Sequence, residues 1–251
     1  MAWYKEMFAD EDPLRSDKYG ESEKSRAQVD FVIEKLGIEP GARVLDLCCG
    51  QGRHLLDLMK RGFDVVGVDL SEYMLGKCRE AAEKEGLTPN LTQADMREIV
   101  FDSEFDAAIN LFTSFGYLED DDEDQKVLDG ISRALKPGGR FVMDIDNRDM
   151  VMAHFVERTW SENSMGDITL KERQFDSITG RCNSQETTIH ADGRRSERGH
   201  SLRVYACTEI VKMLARSGLE VQSIWGGWDS SVFASTSHRM LIISGKAGAQ
   251  A

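Results

Sequence analysis

Val44-Leu45-Asp46-Leu47-Cys48-Cys49-Gly50-Gln51-Gly52-Arg53 is the stretch on which the fold turns. Arg43 to Leu47 is a short, mostly apolar run of strand type. The segment after it carries Leu55, Leu58 and Met59 at helical spacing and stops at Gly62. Glycines thus stand where a buried strand turns into a helix. At such a turn the backbone can approach a ligand without side-chain obstruction, and the N–H groups of the helix N-terminus point at it.

The same alternation continues outward. Asp64 to Asp69 reads as a second buried strand. Ser71 caps a helix bearing Met74, Leu75, Cys78 and Ala82, which closes before Gly86. Asn90 to Thr92 is a short third strand, Phe105 to Asn110 a fourth and Gly139 to Ile145 a fifth. Between the last two lies a helix with Val127, Leu128, Ile131 and Leu135, ended by Lys136-Pro137-Gly138-Gly139. Strands alternating with helices predict a doubly wound, mainly parallel α/β sheet covered on both faces.

The flanks differ in texture. Residues 1–40 read as an N-terminal arm with Trp3, Tyr4, Phe8 and Tyr19, followed by a helix carrying Val29, Val32, Ile33 and Leu36. Residues 41–149 and 207–246 form the expected core, in which Thr208 caps a helix and two final strands lie near Glu220–Trp225 and Arg239–Ser244. Residues 150–206 read as an antiparallel β insertion and substrate cap. Its extended segments are Trp160–Phe175, Arg181–His190 and Arg194–Tyr205, separated by Thr179-Gly180 and Asp192-Gly193.

Composition narrows the function classes. The 251 residues are 41% hydrophobic and 30% charged, as in a soluble globular protein. The apolar stretches are too short for a membrane span, and Met1 to Glu6 lacks signal-peptide character, so a cytoplasmic location is expected. A net charge of −13 repels a polyanion at long range and disfavours nucleic acid as partner. The five cysteines lack metal-ligand spacing; reduced thiols and no metal are expected. The oligomeric state is left open.

About twenty residues after the glycine turn, Asp69 ends the second strand, where an acid can accept hydrogen bonds from ribose hydroxyls. Asp95 follows the third strand. The dinucleotide fingerprint wants a third glycine where Leu55 stands, which favours a nucleoside ligand without a pyrophosphate.

Together with Val66-Gly-Val-Asp-Leu-Ser71, Gln93-Ala-Asp-Met96, Phe105 to Phe112 and Leu135-Lys-Pro-Gly-Gly-Arg-Phe-Val142, the glycine run resembles the class I S-adenosylmethionine-dependent methyltransferases. The resemblance implies a seven-stranded Rossmann-like sheet with its last strand antiparallel. It implies S-adenosylmethionine as cofactor, with S-adenosylhomocysteine as product. It also implies cofactor contacts at Cys48, Gly50, Gly52, Arg53, Asp69, Leu70, Met74, Asp95, Met96 and Leu111. Cys48 stands where the family's usual first glycine would be, so a shifted backbone is considered there.

For the methyl acceptor, Asn110-Leu-Phe-Thr-Ser114 lacks the Asn/Asp-Pro-Pro-aromatic tetrapeptide that goes with adenine or glutamine amino methylation, and no Pro-Cys pair follows. The wider pattern is similar to the small-molecule branch, such as sugar-amine and glycine or sarcosine N-methyltransferases. The insertion, from Arg158 to Arg203, has eight basic residues against seven acids and is near neutral in an acidic chain. Arg203 and its neighbouring arginines are candidates to hold a carboxylate or other anionic group on the acceptor. His200 and His190 are candidate bases, and Tyr19, Tyr117 and Tyr205 candidates to line the methyl-transfer space. The acidic run Glu119 to Asp124 reads as dipole compensation at a helix start. The leading expectation is methyl transfer to a small-molecule amine or hydroxyl. A non-catalytic S-adenosylmethionine- or S-adenosylhomocysteine-binding protein acting through partners is the alternative, and a nicotinamide enzyme is third.

Overall fold

The computed structural model describes residues 3–7 and 23–248. Its elements, in chain order, are α1 (Trp3–Met7), α2 (Glu23–Leu36), β1 (Arg43–Leu47), α3 (Arg53–Lys60), β2 (Asp64–Asp69), α4 (Glu72–Lys84), β3 (Asn90–Gln93), β4 (Phe105–Asn110), α5 (Asp121–Ala134) and β5 (Leu135–Asp146). There follow α6 (Arg148–Ala153), β6 (Arg158–Glu162), β7 (Ile168–Asp176), β8 (Arg181–Ile189), β9 (Arg195–Arg203), α7 (Cys207–Arg216), β10 (Leu219–Trp225) and β11 (Arg239–Lys246).

Seven strands form one sheet in the order β10-β11-β5-β4-β1-β2-β3, and β6 to β9 form a second, antiparallel sheet. Strands β1 to β5 run parallel, while β11 lies antiparallel between β5 and β10. This is the doubly wound α/β sheet that the alternation predicted, with the reversed last strand that the family resemblance implied.

The period-2 alternation of the strands explains why both faces are covered. On β1, Leu45 and Leu47 point to one side, with Val66, Val68, Phe105, Phe141 and the apolar faces of α5 and α7. Val44 points to the other, with Val65, Ala107, Ile109, Val142 and side chains from α2, α3 and α4. With both faces closed, the loops at the carboxyl ends of β1, β2 and β4 are where a ligand can enter.

Three local expectations are corrected. Trp160 to Phe175 is not one extended segment: Asn163 Oδ1 accepts the N–H groups of Met165 and Asp167 and turns the chain between β6 and β7. Lys136 to Gly139 does not simply end a helix, because β5 starts at Leu135, paired with Phe105, and the irregularity before the Ala107–Arg140 pair absorbs the glycines. Helix α7 begins at Cys207, not after Thr208; Glu209 caps it by accepting the Ala206 N–H (2.7 Å).

Candidate active site

At the carboxyl end of β1 the N–H groups of Cys48 and Cys49 both donate to Val68 O, bending the chain over β2. Cys48 takes φ 64°, the left-handed conformation that a glycine adopts freely, so the backbone keeps the glycine-type turn. The Cys48 Sγ lies 3.7 Å from Met96 Sδ, and burial pushes the thiol pKa well up. Gly50 takes φ 55°, and a Cβ there would meet nothing within 4 Å, so this residue opens the turn toward the pocket. Gly52 has a different role. A Cβ on it would lie 2.2 Å from Cys78 Sγ, so it lets α3 and α4 approach and does not itself line the pocket.

Asp69, at the end of β2, ties this turn to the next. Its Oδ2 accepts the Gly50 N–H (2.8 Å) and its Oδ1 the Ser71 N–H (2.9 Å). A carboxylate at this strand end is also placed to accept from the hydroxyls of a ribose. Asp46 is 2% exposed, and its Oδ2 has no hydrogen-bond partner among the described residues. Burial, reinforced by the charge of Asp69, pushes its pKa up to about 7. A buried carboxylate of this kind calls for a cationic donor.

At the other end, Asp95 accepts from the backbone and guanidinium of Arg97 (2.7–3.1 Å). Burial opposes its charge, but the bonds to Arg97 hold its pKa below the usual carboxylate value. Arg97 also donates to Glu123 (2.6 Å) and to the Tyr4 hydroxyl (2.9 Å), which fastens α1 to this end of the pocket.

These groups line one cavity of about 250 Å3. Of the expected cofactor residues, Cys48, Gly50, Arg53, Asp69, Leu70, Met74, Asp95, Met96 and Leu111 are brought together there, and Tyr117 joins them. Sequence reading passed over Tyr4, Asp46, Phe112 and Ser114, which also line it. Asp46 had a signal, since it is an acid at a buried strand position beside the glycine turn. The Arg53 guanidinium sits 4.6 Å from the centroid of the Phe112 ring. Phe112 and Thr113 take φ 63° and 55°, held there because both of their N–H groups donate to Asp144, one to its side chain and one to its carbonyl.

The acceptor candidates fare differently. Arg203 is 7% exposed and outside the cavity lining; its guanidinium bonds Asp121 (2.9 Å) and Glu209 (2.9 Å) and lies over the Tyr205 ring. Tyr205 is buried too, its hydroxyl sharing one hydrogen between Asp121 (3.0 Å) and Asp124 (2.7 Å). Both are therefore structural, joining β9 to α5 and α7, because buried charge and hydroxyl must be paired. The acidic run is likewise more than a solvated face: Asp120 caps α5 and Asp124 is buried. Arg194 pairs with Asp192 in the turn before β9, and Arg195 with Glu197 on its exposed first residues. His190 faces Asp167 and Ser196 at the far hairpin, off the cavity. His200 does not line the cavity, but its ring is 6.3 Å from Trp3, which is 5.4 Å from Tyr117. Tyr19 and Phe8 lie outside the described residues. His54 lines the cavity wall, where burial lowers its pKa to about 3, and its Nε2 meets Gln28 Oε1 at 2.8 Å.

A cavity with a diol acceptor at one strand end, a buried acid beside a glycine turn and an apolar floor fits a nucleoside bearing a cationic amino-acid tail. S-adenosylmethionine has those parts, and Asp46, Asp69 and Gly50 fit them without added bulk. Comparison with known proteins agrees. The family model described as a methyltransferase domain matches residues 44–139. YqeM of Bacillus subtilis (strain 168), whose methyltransferase name is provisional, is 27% identical over 210 residues, 79% of this chain and 81% of that one. A glycine/sarcosine N-methyltransferase of Halorhodospira halochloris is 32% identical over 146 residues; the match covers 57% of this chain and about half (54%) of the relative. An S-adenosylmethionine-dependent methyltransferase structure from Clostridium acetobutylicum ATCC 824 superposes with a TM-score of 0.79 at 23% identity, covering 89% of this chain and 92% of that one.

These matches support the class I S-adenosylmethionine-dependent methyltransferase family for this chain. It is an enzyme of that family, and S-adenosylmethionine is its cofactor. Among the described residues no helix is long and apolar enough to cross a membrane, and no group of three or more His, Cys, Asp or Glu is placed to hold a metal ion.

Proposed function

We propose that this methyltransferase acts on the amine of a small molecule, seated at the cavity mouth between Phe112, Ser114 and Tyr117. The carrying observation is the cluster of tilted rings Tyr117–Trp3–His200, which joins the β4–α5 loop, α1 and β9 beside that mouth. An aromatic wall of this size suits a compact acceptor, which it can pack against and shield from water. Bound S-adenosylmethionine supplies a methyl group activated on a sulfonium, ready for in-line displacement. The protein's share is to hold the nitrogen on that line and keep water out. Phe112, Ser114 and Tyr117 include no histidine or carboxylate, and an amine that arrives deprotonated needs none. The glycine/sarcosine N-methyltransferase name of one relative supports the same acceptor class.

In this reading Asp69 holds the ribose, Asp46 faces the ammonium of the methionine tail, and Met96 and Leu70 flank the base. The four-stranded sheet serves as the cap. A screen of radiolabelled methyl transfer over amines, amino acids, hydroxylated metabolites and bulk RNA tests it. Incorporation into amines is expected, with a Tyr117→Ala variant raising the acceptor KM while affinity for S-adenosylhomocysteine is kept. Transfer confined to hydroxyls or to RNA overturns the proposal.

A further inference from the structure

Among the described residues the second sheet ends in an open edge. There, strand β6 pairs with β7 on one side only, and all five of its residues are exposed. The direction of its backbone groups can be read from the bonds that flank it. The Arg173 N–H donates to Glu157 O (2.7 Å), and the Asn163 N–H donates to Asp167 O (3.0 Å). Both pairs continue the register that sets Arg158 opposite Glu172 and Trp160 opposite Leu170. In an antiparallel ladder the residues that exchange hydrogen bonds alternate along the strand. Glu157, Thr159, Ser161 and Asn163 therefore face β7 with their N–H and C=O groups. Arg158, Trp160 and Glu162 turn theirs outward.

The side chains of those three residues share one face of the sheet. Trp160 is 69% exposed, with Leu170 at 41% opposite it. Ile189, 40% exposed, lies nearby on the same face. Charges at a sheet edge usually blunt it against pairing. Here their placement does the reverse, because Arg158 and Glu162 stand symmetrically about Trp160.

We propose that this edge is the contact through which two copies of the chain associate, their β6 strands antiparallel about a two-fold axis at Trp160. In that register Trp160 meets Trp160 of the second copy, and Arg158 of each copy meets Glu162 of the other. Each of the three outward residues donates one backbone hydrogen bond and accepts one. The two sheets become one continuous antiparallel sheet, and the exposed Trp160–Leu170 faces of both copies join. Arg158 also reaches Glu172 of its own chain (3.0 Å), and its five N–H donors can serve both carboxylates. The contact is isologous, as a two-fold dimer requires. A five-residue edge is a small interface, so the dimer dissociates on dilution through micromolar concentrations.

The test uses charge reversal on the full-length protein, with mass read by sedimentation equilibrium over that range. Wild type is expected to shift from dimer to monomer on dilution. Glu162→Arg alone and Arg158→Glu alone each set like charges opposite one another, and the mass at high concentration should halve. An equal mixture of the two variants should recover the dimer mass, because every facing pair is again opposite in charge. Thermal unfolding and affinity for S-adenosylhomocysteine report folding, since none of these residues lines the cavity. A wild type monomeric throughout, a dimer untouched by both reversals, or a mixture that stays monomeric overturns the proposal. None of these outcomes bears on the acceptor, so the two readings fail separately.

Discussion

Asp69→Ala is the sharpest probe of the cofactor site. Each carboxylate oxygen accepts one backbone N–H, from Gly50 and from Ser71, and in the proposed reading each also accepts one ribose hydroxyl. A hydrogen bond to a charged group contributes about 1.5–3 kcal/mol. Two of them, partly replaced by water in the variant, amount to about 3 kcal/mol, or roughly 150-fold in Kd. One effect runs the other way: the charge of Asp69 raises the pKa of Asp46, and its removal eases the ionisation that a cationic tail favours. Calorimetric titration with S-adenosylhomocysteine measures the net change. The variant also strands two turn N–H groups, so unfolding of the ligand-free protein must be followed alongside; a loss of about 1–2 kcal/mol is expected there. A Kd within about threefold of wild type, less than about 0.7 kcal/mol, refutes the ribose assignment.

Asp46 makes affinity pH-dependent. Its pKa is about 7 in the folded protein against an ordinary 3.8, so its protonated form is favoured between these values, and its contribution to stability falls as pH rises through that window. Binding of the ammonium needs the ionised form, so affinity should rise up to about tenfold per pH unit until about 7 and then level off; Asp46→Asn should flatten the profile measured by calorimetry. Arg203→Ala should lower stability by about 2–3 kcal/mol, below the loss for a fully buried pair because Asp121 and Glu209 are partly exposed, and leave acceptor KM unchanged. Chemical denaturation and acceptor kinetics separate this from a binding role. Cys48→Gly relieves a left-handed non-glycine residue and should raise stability by about 1 kcal/mol, roughly 2–4 °C in Tm by calorimetric scan, less whatever the thiol contributes in its contact with Met96.

What the sequence determined by itself is what depends on neighbours along the chain. Strand, glycine turn and helix at Val44 to Arg53, and the acid closing β2 at Asp69, follow from side-chain period and backbone freedom over a few residues. The doubly wound order follows from their repetition. Cys48 could be questioned from sequence, yet only its φ showed that the turn keeps its shape. The tertiary structure decided where charges are spent. Arg203 stood in a basic cluster before Tyr205 and looked available; Asp121, 82 residues away, and Glu209 consume it. Tyr4 reached the cofactor end because Arg97, 93 residues on, donates to its hydroxyl. Buried charges must find partners, and those partners come from whichever elements the sheet order brings alongside, which no local pattern records.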